Sequence, residues 1–484
     1  MTKMRSGEQY RASLADGRSV YVDGEKVAVG SHPGFAGIVS EIASLIDLLG
    51  DPAAGLVVDD QSVGGPANWI YLTPHTRGDL AARRRAVEAL ARPSMGFVGR
   101  GPDHVAGFFA GFAAYPELFD KGAGAGGRPS AGDNVRAFRR RMARESLYCT
   151  YCIIPPSIDR ALAAEGAPDR TQVHLVSERD DGIVIDGAQI LGTGTAVSDW
   201  LFLSCMVPLK EGQERFALSL VLPVATLGMR VHCRRPYAGM ATSVWDYPLT
   251  SRFDETDAVV TFHEVFVPWE QVFVCGDVDL VRRQFHSTPA HILGNTQAQV
   301  RLAVKLKFLL GLALKVTEAT GASSGEAQDQ VAELLALAAH VEGMVLASEY
   351  EARVDDHGVA VPDPRYLYAA MSTQAEVYPR ALHLLRLLSS SQIINLPSSH
   401  LALRSPLTRE DLLAGSTSPR TPGEQRLKLF KLVWDVVGSE LASRHHQYEM
   451  FYAGAPAVGR NYARQRYRLE EAAALADEFL AGYR

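Results

Sequence analysis

The chain has 484 residues, more than one hydrophobic core usually holds, so two or three domains are expected. Its 47 % hydrophobic and 21 % charged residues exclude wholesale disorder, and a net charge of −6 with Lys and Arg scattered along the chain excludes a nucleic-acid partner. No apolar run approaches the roughly 18 residues of a membrane span, Met1 to Glu8 has no secretory core, and the odd count of five cysteines reads as reduced thiols, which together point to the cytoplasm.

Up to residue 148 the chain reads as mainly helical. Tyr21-Val-Asp-Gly-Glu-Lys-Val is a short hairpin with Asp-Gly as its turn. Residues 38–49 form a periodic apolar segment with Leu45, Ile46 and Leu49 on one face. Residues 79–91 form an Arg- and Ala-rich helix. Gly99-Arg-Gly-Pro-Asp-His opens the next helix, with Pro102 in its first turn, Asp103 supplying a negative group there, and Phe108, Phe109 and Phe112 as its apolar stripe. The Gly/Ala-rich run from Gly122 reads as a surface loop. It lacks the Lys-Ser/Thr ending of a phosphate cradle.

The stretch 149–200 is where a ligand is expected, because a β layer begins there between two helical blocks and is entered through Pro155-Pro156. Ile183-Val-Ile, Asp186-Gly187 and Ala188-Gln-Ile-Leu read as a hairpin with a type I′ turn. Further strands are expected over 201–207, 216–222, 229–233 and 258–267. Their close spacing leaves no room for crossover helices and argues for an antiparallel sheet or barrel. Gly192-Thr-Gly-Thr does not complete a dinucleotide fingerprint. From residue 296 the chain returns to helix: 300–320, apolar nearly all round, then 328–352, 366–389 and 424–450, with a loop-rich connection over 391–423. Four long helices after a β layer predict a bundle. The expected division is therefore a helical domain over 1–148, a β domain over 149–278, and a helical bundle and tail over 279–484.

Few single residues declare their chemistry. Cys149 and Cys152 form a CxxC without the further ligands of a zinc site or the context of a redox helix, and read as buried structural thiols. Asp159-Arg160 is either a loop salt bridge or a place where Arg160 and nearby N–H groups hold a phosphate or flavin edge. Arg100 lies between two glycines, where backbone can approach a ligand, and His104 follows four residues on. His286, His291 and the pair His445-His446 are further candidates for acid–base work, each equally readable as structural.

Several spaced motifs carry a resemblance: Ser6-Gly-Glu-Gln-Tyr, Gly99-Arg-Gly-Pro-Asp, Pro155-Pro-Ser-Ile-Asp-Arg, Gly187-Ala-Gln-Ile-Leu-Gly-Thr, Tyr247-Pro-Leu-Thr-Ser-Arg-Phe-Asp-Glu, Val267-Pro-Trp-Glu, Val300-Arg-Leu-Ala-Val-Lys, Leu396-Pro-Ser and Tyr452-Ala-Gly. Over nearly its whole length the chain resembles the 4-hydroxyphenylacetate 3-hydroxylase family, the large component of two-component flavin monooxygenases. The resemblance implies an acyl-CoA dehydrogenase-like fold: an N-terminal α-helical domain, a middle antiparallel β-barrel and a C-terminal four-helix bundle, assembled as a homotetramer. It implies reduced FAD delivered by a separate NAD(P)H:flavin reductase, O2, and a flavin C4a-hydroperoxide that attacks the carbon ortho to a phenol.

Such chemistry needs a cation or donor at the phenolate oxygen, a base for the phenol proton, and exclusion of water. In the family an Arg, a Tyr and a His do this work. Arg100 matches the first, while His104 stands where the Tyr is expected and Tyr151 where the His is expected, an exchanged pair. The resemblance thus implies His104 as base and Tyr151 as donor, with His291 as the other candidate base. It implies flavin contacts at Tyr151, Cys152 and Ile153, at Ser157, Ile158, Asp159 and Arg160, at Thr193 and Thr195, and at Tyr452, Ala453 and Gly454. Arg100, His104, Pro208 and Lys210 are the expected substrate contacts, with no metal. The substrate class is a small aromatic, a tyrosine-like phenol either free or tethered to a carrier protein, with a non-phenol or halogenated aromatic as the alternative. The fold also serves 4-hydroxybutyryl-CoA dehydratase, which needs cysteine ligands where Arg100 and His104 stand and near Ala298. An acyl-CoA dehydrogenase or a non-catalytic flavin-binding protein are the remaining readings.

Overall fold

The computed structural model describes residues 4–120, 129–156, 171–452 and 454–483. The loop from Gly122 and the candidate contacts Ser157, Ile158, Asp159, Arg160 and Ala453 lie outside the described residues. The N-terminal helices begin where their caps dictate. Ser6 accepts from the Gln9 amide while the Gln9 side chain accepts from the Ser6 amide, starting Gly7–Ser13. Thr76 and Asp79 repeat the device for Arg77–Ala91. Ala36–Leu49 buries Ile38, Ile42, Leu45, Ile46 and Leu49 along one stripe. The expected hairpin is Val20–Val22 against Glu25–Val27, with Asp23 (φ 51°) and Gly24 (φ 84°) both left-handed, as its tight turn requires.

The β layer differs from the expected barrel. Among the described residues its strands form two open sheets joined by a single bridge between Ile154 and Ile190. The six-stranded sheet runs Glu25–Val27, Val20–Val22, Met229–Cys233, Ala258–Pro268, Gly182–Gln189, His174–Arg179. The four-stranded sheet runs Val272–Cys275, Leu218–Pro223, Trp200–Leu203, Cys149–Cys152. Two pairs are parallel, Val20–Val22 with Met229–Cys233 and Cys149–Cys152 with Trp200–Leu203, so the sheets are mixed rather than antiparallel. Long connections separate both pairs in sequence, which is what parallel pairing demands.

The Asp186-Gly187 turn is also corrected. Gly182–Gln189 is one continuous strand, and the chain reverses earlier, between His174–Arg179 and Gly182–Gln189. Gly187 does adopt φ 118°, but for close approach: a Cβ there would lie 2.3 Å from the Gln172 carbonyl oxygen. Asp186 accepts from the Glu264 amide where the partner strand bulges between Phe262 and Val265. Local turn chemistry was satisfied here by tertiary contacts instead.

The helical layer sets the positions that matter for chemistry. All eleven residues of Pro102–Phe112 are buried, and the helix packs backbone to backbone on Ala290–Thr320. A Cβ on Gly107 would sit 2.9 Å from Gly294 Cα, and one on Gly111 would sit 2.3 Å from Ala290 N. Ala290–Thr320, Gly325–Tyr350, Pro364–Ser389 and Gly423–Val437 pack together. The expected 424–450 helix is two helices. Gly438 breaks it, because a Cβ there would meet the Trp434 ring at 2.5 Å, and Ser439 caps a new helix, Glu440–Phe451. One apolar cluster runs from Tyr10 to Leu441, through all three expected segments.

One composition-based expectation is overturned: by length and composition Gly325–Tyr350 is apolar enough to cross a membrane. It lies instead against Ala290–Thr320 and Pro364–Ser389, tied by Lys307–Glu342 and Arg380–Glu333 ion pairs, with 28 % of its most apolar window buried.

Two glycine substitutions separate these effects. Gly111→Ala forces the helices apart and is expected to cost about 1–3 kcal/mol by overpacking. Gly311→Ala, in the same bundle with nothing within 4 Å, is expected to be neutral or to stabilise by about 0.5–1 kcal/mol through the unfolded chain. Chemical denaturation of the two variants beside the parent checks both; equal midpoints refute the close-packing claim.

Candidate active site

The centre of the site is Arg100, 9 % exposed and held by its own backbone. The amides of Gly99 and Arg100 both donate to Glu255 Oε1, at 2.9 and 2.6 Å. Gly101 precedes the helix and Pro102 occupies its first turn, so the guanidinium is delivered at the N-terminus of Pro102–Phe112. Three tyrosine rings surround it, with Cζ 3.9 Å from the Tyr452 centroid, 4.7 Å from Tyr151 and 5.6 Å from Tyr448. Nη1 donates to His104 Nε2 at 2.7 Å and Nη2 to the Tyr452 carbonyl at 3.3 Å. No carboxylate among the described residues forms an ion pair with this guanidinium.

That contact fixes the chemistry of His104. A guanidinium only donates, so Nε2 is the acceptor and the proton of the neutral ring is on Nδ1. Burial first, then the charges of Arg100 and Arg301, hold the imidazole well below its ordinary value. In this arrangement the His104 Nε2 lone pair is taken up by Arg100 and the Nδ1 position carries the proton. Its Nδ1 is buried and has no partner among the described residues, and neither does the Tyr448 hydroxyl. Orphaned buried donors of this kind cost about 1–3 kcal/mol each unless something satisfies them. The His104 ring stacks on Tyr151 (5.0 Å, 26°), so the exchanged Tyr/His pair does meet face to face.

Behind the three rings is a buried polar layer. The Tyr452 ring also meets a second cation, with Arg301 Cζ 4.4 Å from its centroid. The Tyr452 hydroxyl is 2.6 Å from the Gly99 carbonyl and 2.8 Å from Gln297 Oε1, while Gln297 Nε2 donates to Gly99 O and Asp103 Oδ1. Burial pushes the Asp103 carboxyl up to about 6, against the Gln297 hydrogen bond. Arg301 grips Glu449 with two 2.7 Å bonds, and Lys305 reaches the same carboxylate at 2.6 Å. Burial works against the Glu449 charge, but Arg301 and Lys305 overcome it and hold the carboxyl down to about 2. Arg444 ties Glu255 and Asp257 together, and its guanidinium stacks on Tyr448 at 3.8 Å.

The remaining expected residues divide. His291 is in a separate aromatic group. Its Nδ1 is 3.0 Å from the Tyr368 hydroxyl, its ring is 4.5 Å from that of His286, and Tyr462 closes the group. Burial, His286 and Arg466 lower it to about 3. Phe108 is in edge contact with both His104 and Phe285, the His291 amide donates to the Phe285 carbonyl, and no contact between His291 and Arg100 or His104 is seen among the described residues. Strand alternation turns Cys152 away from Tyr151, and its thiol donates to the Ile190 carbonyl; Cys149 and Cys152 are buried free thiols, as expected. Ile153 is buried beside them. The Thr193 hydroxyl donates to Asp257, and Thr195 is wholly buried with its hydroxyl 3.3 Å from that of Thr150. Pro208 and Lys210 are in an exposed turn, where the Lys210 amide donates to Gln213. Tyr452 is central, and Gly454 follows it with φ 101°.

Residues not singled out from sequence are Glu255, Gln297, Arg301, Arg444, Tyr448 and Glu449. A signal existed for most of them. Gln297, Arg301 and Lys305 recur every four residues along a helix that reads as apolar all round, a polar stripe that only a buried partner explains. Arg444, Tyr448 and Tyr452 do the same at the end of Glu440–Phe451, with His445 and Glu449 one step round.

A buried guanidinium with no ion-paired acid among the described residues, walled by phenol and imidazole rings and flanked by two buried polar atoms without partners among those residues, suits an anionic or electron-rich aromatic group. The described residues fit a flavin and a phenol in that sense, although the expected contacts at 157–160 and 453 lie outside them. The chain belongs to the 4-hydroxyphenylacetate 3-hydroxylase family: residues 6–274 match its N-terminal region and residues 281–481 its C-terminal region. The "4-hydroxyphenylacetate 3-monooxygenase oxygenase component" of Geobacillus sp. (strain PA-9) is 31 % identical, over 99 % of this chain and 97 % of that protein. A Streptomyces globisporus protein named "(3S)-3-amino-3-(3-chloro-4-hydroxyphenyl)propanoyl-[peptidyl-carrier protein SgcC2] monooxygenase" is 32 % identical, over 94 % of this chain and 85 % of that one. The crystal structure of the oxygenase component of 4-hydroxyphenylacetate 3-monooxygenase complexed with FAD and 4-hydroxyphenylacetate superposes with a TM-score of 0.92 at 29 % identity, covering 99 % of this chain and 98 % of that one. An archaeal 4-hydroxybutyryl-CoA dehydratase shares the fold at 19 % identity and a TM-score of 0.89.

The Glu449 cluster yields a stability prediction. Glu449→Gln leaves Arg301 and Lys305 without their anion and is expected to cost about 3–5 kcal/mol. Because the folded carboxyl lies near 2 against an ordinary 4.5, its contribution is complete above pH 4.5 and is lost as pH falls toward about 2. Thermal midpoints measured across that window should fall more steeply for the parent than for Glu449→Gln. Parallel curves refute the assignment.

Proposed function

We propose that the chain is the oxygenase component of a two-component flavin monooxygenase, hydroxylating a phenol at the carbon ortho to its hydroxyl group. The observation that carries this is the Arg100 guanidinium, buried, ion-paired to no carboxylate among the described residues and bonded to His104, in a chain whose residues 6–274 and 281–481 match this family. Reduced FAD supplies two electrons, so that one atom of O2 enters the ring and the other leaves as water. A separate NAD(P)H:flavin reductase supplies the reduced flavin.

Arg100 holds the phenol oxygen and favours its anion, which places electron density on the ortho carbon. His104 accepts from Arg100 through Nε2 and so holds the guanidinium in place, and Tyr151 stacks on the His104 ring. Tyr448 and Tyr452 close the site against water, and in a dry site each hydrogen bond to a developing charge is stronger. Tyrosine-like phenols, free or carrier-tethered, fall within this class. Arg100 and His104 stand where the dehydratase chemistry asks for cysteines, and the five cysteines lie elsewhere, which disfavours that reading. A homotetramer belongs to the same proposal, supported by the exposed Leu335, Leu346 and Tyr350 on Gly325–Tyr350.

With reduced FAD and O2 supplied, at least one phenol should gain a single oxygen atom by mass spectrometry. Arg100→Met should lose about 10²–10³-fold in kcat/KM for that phenol while folding normally by circular dichroism. No oxygenated product from a broad phenol panel, or an unimpaired Arg100→Met, refutes the function. Light scattering should give four times the chain mass; a monomer refutes the assembly.

A further inference from the structure

We infer that Gln297 is a positioning residue for the Arg100 site: its carboxamide locks Tyr452 to the turn that carries Arg100, and so sets the direction in which the guanidinium points. The inference rests on the phenol-hydroxylating function above and deepens it.

Three segments far apart in the chain meet on this one buried amide. Gln297 Nε2 donates to the Gly99 carbonyl at 3.1 Å and to Asp103 Oδ1 at 3.2 Å. Its Oε1 lies 2.8 Å from the Tyr452 hydroxyl, which is also 2.6 Å from the Gly99 carbonyl. The residue before Arg100, the first turn of Pro102–Phe112 and Tyr452 are thus joined through a single side chain. The chemistry selects an amide. A carboxylate has no hydrogen to give Gly99 and Asp103, and an ammonium has no lone pair for Tyr452, whereas a carboxamide supplies both on adjacent atoms.

Tyr452 carries the constraint to the guanidinium. Its hydroxyl end is fixed to Gln297 and Gly99, its ring lies 3.9 Å from Arg100 Cζ, and its carbonyl accepts from Arg100 Nη2 at 3.3 Å. A loop therefore closes from the Arg100 backbone through Gly99 and Tyr452 back to the Arg100 side chain. Glu255 holds the same backbone by the Gly99 and Arg100 amides. Gln297 reaches this point because Ala290–Thr320 approaches Pro102–Phe112 so closely at Gly107 and Gly294. An arginine stem is long and rich in rotamers, so its aim needs such outside support.

Aim has a measurable consequence. A phenol held off its line is missed, and the two electrons of reduced FAD then end in H2O2 instead of in an oxygenated ring and water. Loss of the amide should therefore lower the product formed per reduced FAD consumed, which a loss of stability alone would not do.

The test uses the full-length protein with reduced FAD, O2 and the phenol of the panel that the parent hydroxylates fastest. Gln297→Met keeps the length of the side chain and removes its hydrogen bonds. It should lower product per reduced FAD several-fold and kcat/KM by about 10- to 100-fold, with H2O2 making up the difference. Asn134→Leu is the control: it removes a buried amide that donates to the Trp269 and Val272 carbonyls, and should lower the thermal midpoint with the parent's product ratio. Tyr452→Phe should lower the ratio as Gln297→Met does, and the double variant should fall little below the worse single one, because both changes break the same link. A parental ratio in folded Gln297→Met overturns the inference. So does an equal fall in Asn134→Leu, and so does a double variant whose two losses multiply. Should Gln297→Met not fold, Tyr452→Phe decides, and a parental ratio there overturns the inference. Each of these results leaves hydroxylation by the parent standing; a parent that hydroxylates no phenol sinks the function beneath.

Discussion

A buried guanidinium that no carboxylate among the described residues ion-pairs is the constraint around which this site is arranged. Taking a guanidinium out of water is expensive, and an ion pair is the common remedy. Arg100 instead has three aromatic rings, one imidazole nitrogen and the Tyr452 carbonyl around its guanidinium. The nearest acid, Glu255, is spent on the backbone that presents Arg100 and on Arg444. The site therefore keeps an unfilled electrostatic demand, and the helices and sheets around it hold that demand in place.

The supporting layer shows how. Arg301 and Lys305 share Glu449, so the second cation against Tyr452 is neutralised on its far side. Tyr452 thus contacts two guanidinium groups, of which Arg301 is paired with Glu449. The backbone contact of Pro102–Phe112 with Ala290–Thr320, possible because Gly107 and Gly111 lack side chains, brings His104 and Gln297 into the same small volume. Protonation states follow from this geometry: a guanidinium one helical turn away takes up the His104 Nε2 lone pair.

How far this was legible depends on the range of the forces involved. Helices with strong caps and stripes, such as Arg77–Ala91 and Pro364–Ser389, were readable because their signals are local. Asp186-Gly187 carries the same letters as a real turn, yet it runs straight through a strand, since the reason for Gly187 is the Gln172 carbonyl fifteen residues earlier in the chain. Gly438 broke a periodic segment for packing against Trp434. The exchanged His104 and Tyr151 were visible as a pair only by resemblance. Thr193 and Thr195 were expected at a ligand, and their hydroxyls meet Asp257 and Thr150.

By itself the sequence determined the succession of helix, strand and helix, the family, and the presence of Arg100 with an exchanged His and Tyr nearby, because periodicity, caps and spaced motifs are written along one dimension. Only the tertiary structure decided that the β strands described form two open sheets, that His291 sits with His286, Tyr368 and Tyr462, and that His104 meets Arg100 through Nε2. Those outcomes depend on distances between residues tens to hundreds of positions apart, and hydrogen-bond direction and proton affinity are properties of such distances, not of any one side chain.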